Sequence, residues 1–169
     1  MLHNELALFL AHSLALESEA RERYLELSES LAAHHNGDAA AFFQRMAREA
    51  EQHMEEVAEL AADQALPQLQ PWDYTWPGPE APESASYEAL HYRMSLGEAM
   101  HLALGKERDA AAYYRQAANA SLDAETRRVA AGFATEEERH AAALEAMIAE
   151  LDEPGEHHRL DEDDPHLPA

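Results

Sequence analysis

Glu17, Ala20 and Tyr24 share the pattern E-x-x-A-x-x-x-Y with Glu107, Ala110 and Tyr114. The 90-residue offset between them is close to the 87 that separates His53 from His140. On a helix turning about 100° per residue, positions i, i+3 and i+7 fall on one stripe. Each glutamate therefore shares a face with a small residue that leaves room beside it and with a phenol two turns on. Tyr24 and Tyr114 can then hydrogen-bond a ligand or serve as redox-active phenols beside the site. Glu137 and His140, spaced i and i+3, aim two metal-binding groups at one point. Carboxylates gathered in a protein interior without counter-charge would take up protons, and two divalent or trivalent cations relieve that cost. Oxygen and imidazole donors of this kind suit iron or manganese.

Eleven histidines in 169 residues would make a lone Glu-x-x-His weak evidence. Two repeated stripes and two histidines at matched offsets form an internal repeat and argue against coincidence. His12, His91 and His101 fall off the ligand stripes and read as packing or surface residues.

The elements that must carry these residues are delimited by proline, which occurs only at 67, 71, 77, 79 and 82 and at 154, 165 and 168. Asn4 to Ala33 is expected as a first helix, ended by an Asn36-Gly37 turn. Asp38 should cap a second helix running to about Ala65. Ser95 and Glu98 form a capping box for a third, which runs to about Ala120, and Asp123 caps a fourth, ending near Leu151. These are two helical hairpins. Glu17 and His53 lie at similar depths from the first hairpin's turn, as do Glu107, Glu137 and His140 from the second's, so all five can meet at one level. Gly105 and Gly132, inside predicted helices at a cost of roughly 1 kcal/mol each, are expected to permit close helix approach.

Residues 1–151 thus form one all-α domain. Residues 66–94, with Trp72, Tyr74 and Trp76 among the prolines, are expected as a long crossover pinned along the bundle by its rings. Residues 152–169, acidic and without apolar periodicity, are expected as a disordered tail.

Composition narrows the chemistry further. There are 34 acidic against 12 basic residues and a formal charge of −22, a field that repels phosphate backbones and draws in cations, so nucleic acid is not an expected partner. The absence of Cys removes thiolate zinc sites, iron–sulfur clusters and disulfides. The apolar run from Leu6 to Leu16 is too short to span a bilayer and has no basic stretch before it. A cytoplasmic protein without membrane contact is expected.

ESEARERY, residues 17–24, resembles the first-ligand motif of the rubrerythrin group within the ferritin-like superfamily, and the likeness covers about residues 4 to 150. The resemblance implies a ferritin-like four-helix bundle with two iron, or manganese, ions. It assigns Glu17 and Glu107 as the glutamates of each pair's first helix, Glu137 with His140 as one Glu-x-x-His motif, and His53 as the histidine of the other. At the expected position of the second bridging glutamate stands Ala50. Either Glu49 replaces it through a helix irregularity, such as a π-bulge, or the protein supplies five ligands. The group implies a non-haem di-iron oxidoreductase that reacts with peroxide or dioxygen, fed by an external electron donor and assembled as a homodimer. Oxidation or sequestration of iron without turnover is the alternative, as is a degenerate interaction module whose crossover forms a dimer surface.

Overall fold

A computed structural model describes residues 4–69 and 93–152. The path of the crossover through 70–92 and the tail from 153 lie outside the described residues. Four helices are present among the described residues: α1 (Glu5–Ala33), α2 (Gly37–Leu60), α3 (Leu96–Ala120) and α4 (Ala124–Leu151). Three of their starts follow from side-chain caps that satisfy otherwise orphaned backbone N–H groups. Asn4 accepts from the Ala7 amide, Asp123 accepts from Thr126, and Ser95 and Glu98 complete a reciprocal capping box.

The first hairpin turn differs from expectation. α1 closes in a Schellman arrangement, with the Asn36 amide donating to Leu31 O and the His35 amide to Ala32 O. His35 takes the left-handed position, φ 60°, so Gly37 is free to begin α2 and Asp38 lies in its first turn rather than capping it. The Asn36 side chain makes no cap bond; its amide donates to Met94 O at 2.6 Å. α2 stops at Leu60, short of Ala65. Pro67 disfavours helical backbone at the residue before it, and the turn that follows α2 is tied down where Gln64 accepts from the Asn4 side chain at 2.9 Å.

These ties fix the chain direction. The start of α3 lies beside the α1–α2 turn, through Asn36 and Met94, and the end of α3 lies beside the start of α1, where Ser121 donates to Glu5. α2 and α3 therefore run parallel, the arrangement of ferritin-like bundles that have one long crossover. α1 packs along α2 and α3 along α4, while α2 meets α3 and α1 meets α4. The architecture is the all-α ferritin-like four-helix bundle expected.

The core is split. One apolar cluster, including Leu27, Leu31, Phe42, Phe43, Met100 and Leu144, fills the end near the first turn. A second, including Leu6, Phe9, Leu10, Val57 and Phe133, fills the opposite end. Between them lie the buried Glu17, His53, Glu107 and Glu137.

Gly105 and Gly132 do not mediate close approach, because a Cβ at either would meet nothing within 4 Å and both positions are exposed. Gly105→Ala is expected to raise stability by about 1 kcal/mol. His35→Gly, which relieves a left-handed backbone at a side-chain-bearing residue, should gain about the same. Denaturant melts of the two single variants and the double check both values and their additivity.

Candidate metal centre

Each helix contributes to one level of the bundle. Glu17 comes from α1, His53 from α2, Glu107 from α3, and Glu137 and His140 from α4. His53 presents Nδ1 inward, 2.8 Å from Glu17 Oε1 and 3.2 Å from Glu137 Oε1. His140 Nδ1 lies 3.4 Å from the other oxygen of the same carboxylate, Glu137 Oε2, and 3.8 Å from Glu107 Oε2. Glu137 thus divides its two oxygens between two imidazoles. Glu17, His53 and Glu137 make one group of potential ligand atoms within 4.8 Å of one another, and Glu107, Glu137 and His140 make a second. All five residues line a cavity of about 60 Å³, with Leu16, Ala20, Ala50 and Ala110 supplying apolar wall. A single water needs only about 10–15 Å³ of such space, so the cavity admits a small ligand.

Glu49 lines the same cavity, half-buried, but its carboxylate belongs to none of the ligand groups among the described residues. α2 is α-helical over its whole length, without a π-turn, so the helix irregularity that would put Glu49 in the place of Ala50 is not present. Ala50 sits in the wall where a longer acid would reach inward.

The tyrosines are placed in an unexpected way. Tyr114 donates to Glu17 Oε1 at 3.0 Å and is held in turn by Ser13 at 2.9 Å. Its phenol serves the glutamate of the other hairpin, whereas the stripe pattern had grouped it with Glu107 on its own helix. Tyr24 lines the cavity, and burial followed by the charge of Glu107 pushes its hydroxyl well above its usual pKa. Burial, then the charge of Glu17, does the same to Tyr114. Both phenols stay protonated. Ser13 was missed in the sequence, although a fully buried serine one turn before Glu17 interrupts an apolar run on the site-facing stripe. Glu136, 4.0 Å from His53 Nε2, was also missed. Of the histidines set aside, His101 is exposed and bonded to Gly97 O, His12 is half-buried, and His91 lies outside the described residues.

The donor set fits a pair of hard cations. Burial raises the pKa of Glu17 and, more strongly, that of Glu107, which is the response of carboxylates short of positive charge. Burial also pushes Glu137 up, but bonds from Glu107, His140 and His53 outweigh it and hold that carboxyl well below its usual range. Burial pushes His53 down, yet Glu137 and Glu17 bring it up to about 10. Bonds to Glu107 and Glu137 raise His140 to about 11. Raised this far, both imidazoles favour the protonated form at neutral pH, the form that supplies positive charge to these carboxylates. Loading must expel those protons, and any held by Glu17 and Glu107, so binding of Mn²⁺ at neutral pH is expected to release at least about two protons per chain, and affinity should weaken as pH falls. Calorimetry in buffers of different ionisation enthalpy reads the number directly.

Comparison with known proteins adds to this geometry. Residues 9–148 match the sequence model of the family described as Rubrerythrin. The chain belongs to the rubrerythrin family. A crystal structure of an uncharacterized conserved protein from Magnetospirillum magnetotacticum MS-1 is similar at 39% identity and a TM-score of 0.68, covering 89% of this chain and 98% of that one. No curated protein matches. The shared region takes in all five converging side chains, so this rubrerythrin-family member carries, in the carboxylate–histidine bundle of its family, residues that can hold metal ions at the level where they meet. Among the described residues no helix is long and apolar enough to cross a membrane.

Proposed function

We propose that the protein is a non-haem di-iron, or di-manganese, oxidoreductase of rubrerythrin type that reduces peroxide or dioxygen. The division of Glu137 between His53 and His140 carries this reading, since it puts one carboxylate in both groups of residues that could hold a cation. Glu17 and His53 complete the first position, and Glu107 and His140 the second. When bound, the pair of metals supplies the Lewis acidity and the electrons. The chain does the rest. Leu16, Ala20 and Ala110 admit a molecule of few atoms to the cavity, Tyr114 holds Glu17 through Oε1, and Ser13 holds Tyr114. Reduction of one H₂O₂ to two H₂O consumes two electrons and two protons. The electrons come from an external donor, as the chain has no Cys to hold an iron relay of its own.

The partners in this reading are a small-molecule oxidant, an external electron donor and a second copy of the chain. Leu8, Leu60 and Leu122, large apolar residues exposed at the Asn4 end, support a homodimer. The acidic surface favours a second reading, in which Fe²⁺ is the substrate, drawn in by charge, oxidised and retained or released without reductive turnover.

Iron content after anaerobic loading, followed by peroxide consumption with a chemical reductant, tests both. About two irons per chain with sustained peroxide loss supports the oxidoreductase. One iron or none overturns the paired site and leaves the interaction module. Two irons with a single burst and ferric product selects iron oxidation.

A further inference from the structure

His53 is 2% exposed, and the two faces of its ring meet different surroundings. Nδ1 faces Glu17 and Glu137. Nε2 points the opposite way and has no hydrogen-bond partner among the described residues. The ring is wedged edge-on against Phe133, centroids 4.9 Å apart, and Tyr114, 6.1 Å, so packing holds this orientation. An imidazole nitrogen buried with nothing to bond forfeits its solvation without replacement. Such an orphan in a native interior calls for a partner.

Two carboxylates flank it. Glu136 Oε2 lies 4.0 Å from Nε2, and Glu56, one turn after His53 on α2, brings an oxygen into the same group, all ligand atoms within 4.8 Å of one another. Four ångströms is too long for a hydrogen bond but no wider than two metal–ligand bonds of roughly 2.1 Å. Glu136 is half-buried and Glu56 exposed, so this group opens to solvent, on the far side of the imidazole from Glu17.

We propose that His53 Nε2, Glu56 and Glu136 form a third cation site, a staging position at which a hard divalent cation such as Fe²⁺ or Mn²⁺ is held before it enters the paired centre. Three ligand groups are then linked through shared members, with His53 shared by the first and second and Glu137 by the second and third. A neutral imidazole has one lone pair, so the outer and inner positions compete for it. While the outer cation holds Nε2, Nδ1–H donates to Glu17. Once a cation sits at Nδ1, the proton resides on Nε2 and faces Glu136. Outer occupancy is therefore highest before the inner positions fill. The outer group stands whatever reaction the inner one performs.

Crystals of the full-length, metal-stripped protein exposed to Mn²⁺ for graded times, with anomalous difference maps at each time, test the proposal. An early peak bounded by His53 Nε2, Glu56 and Glu136 is expected, declining as density grows on the Nδ1 side. In Glu56→Gln/Glu136→Gln that peak should vanish while the inner ones still fill. In solution the same double variant should take up Mn²⁺, followed by the loss of free-ion resonance, about tenfold more slowly to an unchanged final number per chain. Inner peaks without an outer one at any time would overturn the proposal, as would equal uptake rates in the two proteins. A slower rate with a lower final number would also overturn it, showing that Glu136 only orients His53. An outer peak that persists without inner ones would overturn the staging role as well, since a staging position must pass its cation on.

Discussion

Glu137→Ala is expected to strip both metals from the protein, a larger loss than any other single substitution at the site. Its Oε1 lies against His53 and its Oε2 against His140, so both ligand groups lose a member at once. Loss of residues that merely support ligands commonly costs 10–100-fold in affinity, and loss of a shared ligand should exceed about 100-fold at each position. Glu17→Ala and His140→Ala each empty one group and weaken the other only through its neighbour. His12→Ala, off the ligand stripes, should leave metal content intact. A second readout separates lost ligation from lost fold. Without Glu137 the two imidazoles lose their closest shared counter-charge, so their pKa values in the metal-free variant should fall back toward the usual 6.5. Elemental analysis gives the first result and NMR titration of the ring protons the second. Full metal in Glu137→Ala would remove the shared-carboxylate arrangement altogether.

Metal-free protein should lose stability as pH rises above neutrality, and metal should restore it. The sign follows from the histidines. Their folded pKa values, about 10 for His53 and about 11 for His140, lie above the ordinary 6.5. Their contribution is complete below about pH 6.5 and drains away as pH climbs through the folded values. Glu17 and Glu107, also raised, act in the same direction from the carboxylate range upward. Glu137, held low, opposes them only in acid, where its contribution is lost as pH falls below the usual carboxylate value. Bound cations replace the imidazolium charges and do not titrate away. At a free metal concentration a thousandfold above Kd the gain is about 4 kcal/mol, which for a domain of this size corresponds to roughly 10 °C in Tm. Thermal melts with chelator and with Mn²⁺, from pH 6 to 9, should therefore diverge with rising pH; parallel curves would mean that the imidazoles are not charged in the metal-free core.

The helices and the level at which their acids meet were legible because both are periodic. A stripe at i, i+3 and i+7 and equal depths from a turn are properties of helical geometry that composition does not disturb, and proline marks the ends. The capping residues Asn4, Ser95 and Asp123 behaved as local chemistry dictates. What escaped was set by contacts between helices. The Asn36 amide is committed to Met94 across a long stretch of sequence, which no local signal at the first turn could show. Tyr114 was legible as a site residue, but not as the partner of Glu17, because that pairing joins α3 to α1. Ser13 and Glu136 become meaningful only once Tyr114 and His53 are known to point at them. The two glycines read as tight packing spots face open space.

That cross-pairing of Tyr114 with Glu17 bears on how such a protein changes over generations. Had each hairpin completed its own acid with its own phenol, the two repeats would be separable modules, free to drift or be exchanged. Here one repeat's side chain finishes the chemistry of the other. Selection therefore acts on the pair, and a substitution accepted in one half changes the surroundings of the other. A lone first hairpin would leave Glu17 without the phenol that holds it.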